Sequence, residues 1–269
     1  MTPTDPPSPA TRIAMPHDRP FLILQTGRPV PSMRRHGGFA HWIRVAAGLG
    51  RDEVAVVDAQ AGEALPPAWG YAGVLVTGSG AMVSDREGWS ERAAGWLGEA
   101  AQRGVPVFGI CYGHQLLAHA LGGEVGDNPR GRRMGTVEVR ALPAAAADPL
   151  FAAAPVRFAA QVTHLQTVQR APDGAVLLAA ADHDGHHAFR WGRHAWGVQF
   201  HPEFSAGHMR GYIGARAQAL RHEGTDPRAL AAQVRAAPQA RRLLRRFARY
   251  ARTLSPETGS GRDAIEERV

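Results

Sequence analysis

The sequence predicts an α/β fold with an open, mostly parallel central sheet flanked by helices. Between residues 21 and 121, short apolar runs alternate with segments of helical spacing, a pattern typical of a parallel sheet with helices on both faces. From Gly135 onward, apolar and polar side chains alternate, which predicts a small antiparallel extension. The predicted elements of the first part are strands at 21–25, 54–58, 74–77 and 105–110, and helices at 39–49, 89–101 and 115–121.

The second part is predicted to continue with antiparallel strands and to end in C-terminal helices. Residues 188–191 and 195–200 have the pattern of a hairpin around Gly192-Arg193-His194. Helices are expected from Ser205 to Arg221 and from Asp226 to about Arg252, the second with a break or kink at Pro238. Further strands are predicted at 136–140, 156–158 and 175–179.

Composition sets the expected domain organisation and compartment. No apolar run approaches the eighteen or so residues that would span a membrane, and the N-terminus lacks the apolar region of a signal peptide. A single cysteine excludes an internal disulfide and suits a reducing compartment, so a cytoplasmic protein without a membrane partner is expected. The expected segments are a disordered leader (1–19), one domain (20–222), an Arg-rich helical extension (223–254) and a disordered tail (255–269).

The basic residues are all arginine, and the formal net charge is +7. Much of the excess lies between Arg235 and Arg252. A basic helix of this kind can bind nucleic acid, but no aromatic stacking platform or known binding motif accompanies it. We therefore disfavour a nucleic-acid partner, and expect a solvated face that docks an acidic partner or supports a homo-oligomer through the C-terminal helices.

The only cysteine lies in residues 109–115 (Gly-Ile-Cys-Tyr-Gly-His-Gln), between an apolar run and a helical pattern. This order predicts a strand, a sharp turn flanked by glycines, and a helix, with Cys111 on the turn. The positive end of the helix would favour a thiolate there. Most free cysteines are small buried core residues, but the two glycines and the turn favour a nucleophile.

A second motif, residues 197–203 (Gly-Val-Gln-Phe-His-Pro-Glu), follows another short apolar strand. Residues two apart in an extended segment face the same way, so His201 and Glu203 are expected to point into one site. A carboxylate placed there would orient the imidazole and stabilise its charged form. Together the two motifs predict a catalytic set of Cys111, His201 and Glu203.

These motifs resemble the class I, or triad, glutamine amidotransferase family over roughly residues 20–215. The turn at 77–80 (Thr-Gly-Ser-Gly) and the run 201–205 resemble the stand-alone branch related to the glutaminase domain of GMP synthetase. The resemblance implies the flavodoxin-like fold of class I amidotransferases and no cofactor. It also implies that Cys111 attacks the side-chain amide of glutamine.

The resemblance further implies the groups that hold the substrate. The oxyanion donors would be the backbone N–H groups of Ser79 and Tyr112. The family pattern at the first turn is usually Gly-Gly-Pro, whereas this chain has Gly78-Ser79-Gly80, which predicts a more flexible turn. Whether the oxyanion hole forms without substrate or partner is therefore left open. The implied substrate-binding residues are Gly78, Gln115, Thr163, His164, Leu165 and Gln166.

Three functions remain open from the sequence. The first is a glutaminase that releases ammonia for a separate acceptor synthase, since no P-loop or pyrophosphatase loop is present. The second is a free-standing hydrolase of γ-glutamyl amides or peptides with the same triad. The third is a catalytically silent binding module on the same fold. The expected small-molecule partner is accordingly L-glutamine or a γ-glutamyl compound.

The sequence also contains a cluster of histidines at 182–187 and a single histidine, His114, near the nucleophile. Residues 182–187 (Asp-His-Asp-Gly-His-His) have the composition of a metal site but lack a second, separated group of ligands, so a solvated hairpin loop and no metal are expected. His114, near the nucleophile, is expected to point away from the site.

Overall fold

A computed structural model describes residues 19–254, which contain a nine-stranded mixed sheet and a two-stranded antiparallel sheet. The leader and tail expected at the two ends lie, apart from Arg19, outside the described residues. The strands are β1 (Phe21–Gln25), β2 (Val54–Asp58), β3 (Val74–Val76), β4 (Val107–Ile110), β5 (Glu124–Asp127), β6 (Arg133–Ala141), β7 (Arg157–His164), β8 (Gln166–Arg170), β9 (Val176–Ala181), β10 (Asp184–Trp191) and β11 (Ala195–Val198). The α-helices are α1 (Phe39–Ala47), α2 (Gly88–Gln102), α3 (Tyr112–Ala120), α4 (Ala206–Ala215), α5 (Ala217–His222), α6 (Pro227–Ala232) and α7 (Pro238–Thr253).

The order of the large sheet is β2-β1-β3-β4-β11-β10-β9-β6-β7. The first five strands are mutually parallel, and the remaining pairings are antiparallel. Strands β1, β3 and β4 are almost entirely buried, which explains why they read as continuous apolar runs. The predicted α/β fold with a mostly parallel sheet and an antiparallel extension is confirmed.

Each face of the large sheet is covered by helices. On one face, Leu243, Leu244 and Phe247 of α7 join a buried cluster with side chains of β1 and β4, and the rings of Phe247 and Phe108 lie 5.3 Å apart. On the other face, α2 and α3 bury their apolar sides. The Arg-rich helix α7 therefore uses its apolar stripe to cover the sheet, and its other side carries the arginines.

Several element boundaries differ from the sequence-based expectation. The helix expected over 205–221 is split at Arg216 into α4 and α5. Of the break or kink expected at Pro238 the structure shows a break: α6 ends at Ala232 and Pro238 begins α7, a position that proline suits because the first turn needs no N–H donor there. The small sheet formed by β5 and β8 was not predicted, and it has a register shift near Glu124. No helix in residues 19–254 is long and apolar enough to cross a membrane.

Candidate active site

Cys111 lies on the sharp turn between β4 and α3, as the sequence predicts. Its backbone has φ 52 and ψ −101, and it is one of two non-glycine residues in the described part of the chain with positive φ. Such a conformation costs about 1–3 kcal/mol and persists only where the surrounding structure enforces it. The side chain is 5% exposed, and its Sγ atom lies 3.8 Å from the backbone oxygen of Thr163.

The two glycines that flank Cys111 permit this turn. A Cβ atom on Gly109 would lie 2.3 Å from the backbone oxygen of Gly113. A Cβ atom on Gly113 would lie 2.8 Å from the Cβ and backbone oxygen of Val76. The first turn of α3 therefore packs directly onto the ends of β3 and β4, and this packing holds the turn in its strained conformation.

His201 and Glu203 follow the end of β11 and form a buried pair. The Nδ1–H group of His201 donates to Oε1 of Glu203 at 2.8 Å, and the two side chains are 3% and 0% exposed. The Phe204 ring stacks on the imidazole with 4.2 Å between ring centroids. This arrangement fixes the tautomer and plane of the imidazole and leaves Nε2 as its unpaired nitrogen within the described residues.

Gly78, at the end of β3, lies beside both Cys111 and His201. A Cβ atom on Gly78 would be 3.0 Å from Cε1 of His201 and 3.8 Å from Cβ of Cys111. Burial disfavours a charged imidazole, but the charges of Glu203 and Cys111 and the hydrogen bond to Glu203 outweigh burial and raise the pKa of His201 well above its ordinary value. The imidazole of His201 can therefore hold a proton at a position close to Cys111.

The peptide that joins Gly78 to Ser79 is fixed by buried threonines. Thr77 Oγ1 accepts a hydrogen bond from the backbone N–H of Thr26 at 3.0 Å and lies 2.9 Å from the Gly78 oxygen, to which it donates. Both threonines are 0% exposed. Because C=O and N–H point in opposite directions in a trans peptide, the Ser79 N–H is directed to the side opposite the Thr77 hydroxyl. The turn is therefore anchored without a proline.

Gln199 is a site residue that sequence reasoning missed. Its side chain is fully buried, and its Nε2 atom donates to Sγ of Cys111 at 3.6 Å. Its Oε1 atom accepts from Nε2 of Gln115 at 2.9 Å, which fixes the orientation of the amide. The signal was available in the sequence, since Gln199 and His201 are two residues apart in an extended segment and so share a face.

Several of the predicted substrate-binding residues form hydrogen bonds with one another. Gln115 Nε2 also donates to the backbone oxygen of Gln166 at 2.7 Å, and His164 Nδ1 donates to the same oxygen at 2.9 Å. The amide of Gln166 donates to Ser84 Oγ at 2.6 Å. The structure brings Thr163 beside Cys111 through its backbone oxygen, whereas Gln115, His164 and Gln166 form an internal network around the site.

The last two predicted residues are Leu165, which follows β7, and Tyr112, which begins α3. The backbone oxygen of Leu165 accepts from the N–H of Asn128 at 2.8 Å, and its side chain is half-buried. Tyr112 is the first residue of α3, so its backbone N–H has no acceptor within the helix. The Tyr112 hydroxyl is 2.6 Å from Ser90 Oγ, and burial raises its pKa to about 12.

The expectation of a solvated loop at 182–187 is wrong from Asp184 onward, although residues 182–183 do form the turn between β9 and β10. Asp184 begins β10 and His187 is fully buried, with 3.1 Å between His187 Nδ1 and Asp184 Oδ2. The rings of His164 and His183 lie 6.3 and 5.3 Å from that of His187, and burial lowers their pKa values to about 3 and about 4. In residues 19–254 no group of three or more His, Cys, Asp or Glu side chains is arranged to hold a metal ion.

Comparison with known proteins identifies the family. The family model described as "Glutamine amidotransferase class-I" matches residues 35–216, about two thirds of the chain. This chain therefore belongs to the class I glutamine amidotransferase family. Among its relatives, the GMP synthase [glutamine-hydrolyzing] of Aeropyrum pernix is 41% identical over 143 residues, covering 53% of this chain and 25% of that protein.

A second kind of relative is a hydrolase. Gamma-glutamyl-L-1-hydroxyisopropylamide hydrolase of a Pseudomonas species is 30% identical over 167 residues, covering 59% of this chain and 56% of that protein. The match thus spans a quarter of the GMP synthase and just over half of the hydrolase.

Solved structures share the fold. A glutamine amidotransferase from Thermotoga maritima superposes with a TM-score of 0.69 at 22% identity, covering 88% of this chain and 99% of that one. A glutamine amido transferase from Methylobacillus flagellatus gives a TM-score of 0.62 at 24% identity, covering 87% of this chain and 93% of that one.

Proposed function

We propose that this chain hydrolyses the side-chain amide of L-glutamine through a γ-glutamyl thioester on Cys111. The observation that carries this proposal is the placement of Cys111 on a strained strand-to-helix turn, beside Gly78 and the buried His201–Glu203 pair. A thiol, a proton shuttle and a carboxylate that orients it are the groups that amide hydrolysis by a nucleophilic cysteine requires.

In the first half-reaction, the proton of Cys111 passes to His201, whose raised pKa favours the charged imidazole, and the resulting thiolate Sγ attacks the amide carbon of glutamine. The negative charge that develops on the amide oxygen is stabilised by the backbone N–H groups of Ser79 and Tyr112. The carbon–nitrogen bond then breaks as His201 gives its proton to the leaving nitrogen. Ammonia leaves and the γ-glutamyl thioester remains.

In the second half-reaction, water attacks the thioester carbonyl carbon and gives a proton to His201. The carbon–sulfur bond breaks, glutamate leaves, and the proton returns to Cys111. Glu203 holds the imidazole in one tautomer through both steps and stabilises its charged form.

The substrate's amino-acid end is assigned to the segment where β7 ends and β8 begins. Thr163, His164, Leu165 and Gln166 border Cys111 or the network behind it, together with Gln115. We assign their backbone groups and the space beside Gly78 to the α-amino and α-carboxylate groups of glutamine. The side chains of Gln115 and Gln166, which are hydrogen-bonded within the protein, shape this side of the site.

The proposed destination of the ammonia is a separate acceptor synthase. This proposal is supported by the 41% identity to a GMP synthase over 143 residues. The 22–24% identical structural relatives support the fold alone.

A second candidate is a free-standing hydrolase of γ-glutamyl amides. The Pseudomonas hydrolase favours it, because the match extends over 56% of that protein. Both candidates pass through the same thioester and differ in the leaving group, which is ammonia in one and an amine in the other. A catalytically silent binding module is disfavoured because Cys111, His201 and Glu203 are all present and buried together.

The test measures glutamate and ammonia released from L-glutamine by purified protein, with γ-glutamylethylamide assayed in parallel. Cys111→Ala is the matched control, because it removes the nucleophile and keeps the Cβ atom on the turn. Turnover of glutamine that is lost in Cys111→Ala supports the glutaminase, and a preference for γ-glutamylethylamide supports the hydrolase. Failure to turn over either compound, together with no labelling of Cys111 by the glutamine-like electrophile 6-diazo-5-oxo-norleucine, would contradict both.

A further inference from the structure

A cleft of about 730 Å³ lies at the ends of the central strands β4 and β11 that are opposite Cys111. Its walls include Val105 and Pro106, which precede β4, and the turn at 192–194, which joins β10 to β11. Cys111 and His201 follow the other ends of β4 and β11. The cleft is therefore separated from the candidate active site by the length of these strands, and the proposed glutamine chemistry does not use it.

The charged groups that line the cleft are basic. Arg19, Arg103 and Arg193 all border it, and no aspartate or glutamate among residues 19–254 does. Arg103 is paired with Glu99 at 2.9 Å, whereas the exposed Arg193 forms no hydrogen bond or ion pair with any residue between 19 and 254. A guanidinium without a counter-charge at the mouth of a cleft favours an anionic ligand, and it matches phosphate or carboxylate geometry.

The cleft also presents aromatic surface. The Trp69 side chain is 53% exposed, and the guanidinium of Arg103 lies 4.8 Å from its ring centroid. The indole N–H of Trp191 donates to the backbone oxygen of Asp173 at 3.0 Å, which fixes the orientation of that ring. The exposed Trp69 ring, which lies beside arginines, is a surface on which a planar aromatic group can stack.

We propose that this cleft binds a small ligand that combines a planar aromatic ring with an anionic group, of the class of nucleoside monophosphates. The phosphate would pair with Arg193, and the base would stack on Trp69. The volume lies in the range of small-molecule sites, about 300–1,000 Å³. Charge and ring stacking both contribute to recognition, so neither part of such a ligand alone binds as well as the whole.

The test is calorimetric titration of the full chain at low salt with AMP, UMP, adenosine and inorganic phosphate. We expect saturable binding of at least one nucleotide with a Kd of about 1 mM or tighter, weakened by added salt. We expect Arg193→Ala and Trp69→Ala each to weaken that binding by about tenfold or more. Arg140→Ala, at an exposed arginine on β6, is the matched control and should bind as the unmodified protein does.

Several outcomes would overturn the proposal. They are an absence of saturable binding of either nucleotide, inorganic phosphate binding as tightly as the nucleotides, or nucleotide binding that survives both cleft substitutions unchanged. Arg193 and Trp69 are exposed, so their variants are expected to fold, and thermal unfolding followed by circular dichroism verifies this. Glutamine hydrolysis is measured on the same variants and should be retained, which separates this proposal from the proposed function.

Discussion

The hydroxyl of Thr77 donates a hydrogen bond of 2.9 Å to the carbonyl oxygen of Gly78, and so sets the direction of the Gly78–Ser79 peptide. The family resemblance predicted a flexible turn here, because Gly80 stands where proline is usual. At the preceding peptide, the Gly78 carbonyl is held by a buried hydroxyl that is itself anchored by the N–H of Thr26. This arrangement favours an oxyanion donor that points in a fixed direction before substrate binds.

Thr77→Val should therefore lower kcat for glutamine more than it raises KM. Valine keeps the shape but removes the hydroxyl, so the peptide gains freedom to turn its carbonyl toward the site. A correctly placed oxyanion donor accounts for about 100- to 1,000-fold in rate, and we expect a partial loss of roughly tenfold or more. Steady-state kinetics of Thr77→Val and Thr77→Ser provide the measurement.

The serine variant distinguishes positioning from packing. Thr77→Ser retains the hydroxyl and should restore most of kcat, although it loses a buried methyl group. Equal losses of kcat in the two variants would mean that packing at position 77, and not the hydrogen bond, supports activity.

Glu203→Gln should slow turnover by about one to two orders of magnitude, because the imidazole loses the carboxylate that orients it and stabilises its charge. Cys111→Ala, in comparison, should abolish turnover. A Glu203→Gln protein as inactive as Cys111→Ala, with an unchanged circular dichroism spectrum, would require a more direct role for Glu203.

The same substitution should change the pH dependence. Burial lowers the pKa of His201, whereas Glu203 and Cys111 raise it to a value well above the ordinary one. If the protonated imidazole delivers the proton to the leaving group, activity falls as pH rises through that pKa. Without the charge of Glu203 the pKa drops, so the alkaline limb of kcat/KM should move to lower pH. An alkaline limb at the same pH in both proteins would exclude His201 as its source.

The sequence predicted what depends on local pattern. Buried parallel strands appear as apolar runs, and the nucleophile turn is visible because the glycines at 109 and 113 allow a close approach that other residues would block. His201 pairs with Glu203 as expected, but residues 202–203 form a turn closed by the hydrogen bond from the Phe204 N–H to the His201 oxygen, and not the extended segment from which the pairing was predicted.

Contacts between residues far apart in the chain could not be predicted from the sequence. The burial of Asp184 and His187 depends on β10 lying between β9 and β11, and nothing in residues 182–187 encodes these neighbours. The Thr26–Thr77 hydrogen bonds likewise join residues 51 positions apart, brought together by the pairing of β1 with β3. Gln199 is a different case: its place two residues before His201 predicts a shared face, but a glutamine side chain does not by itself indicate a contact with the nucleophile.

Gln199 should influence the reactivity of Cys111. Its Nε2–H group faces Sγ, and its Oε1 atom is occupied by Gln115, so the amide cannot reverse without losing that bond. Gln199→Glu keeps an acceptor for Gln115 but places a carboxylate beside the sulfur, where it disfavours a thiolate. We expect alkylation of Cys111 by iodoacetamide to slow by about tenfold or more in this variant.

The matched control is Gln199→Met, which keeps the length of the side chain without adding charge. Its alkylation rate should lie between those of the unmodified protein and Gln199→Glu. Indistinguishable rates in all three proteins would show that Gln199 only fills space behind the nucleophile.

Buried neutral histidines should make the protein sensitive to acid. Burial lowers the pKa of His114 and of His164 to about 3, so both are neutral in the folded protein at pH values where they are protonated in the unfolded chain. Because the unfolded state binds more protons, the stabilisation is complete above about pH 6.5 and is lost as pH falls toward the folded pKa values. Each histidine should thus account for a loss of about 2 kcal/mol in the free energy of unfolding between pH 7 and pH 5.

His114→Gln tests this directly, since glutamine does not titrate and His114 lies away from the substrate segment, against Phe189. Urea unfolding at pH 8 measures the packing cost of the substitution, and the difference between pH 7 and pH 5 measures the titration. We expect the variant to lose about 2 kcal/mol less than the unmodified protein over that interval. Parallel pH dependences in the two proteins would mean that His114 takes up no proton on unfolding, and the acid sensitivity would have to arise elsewhere.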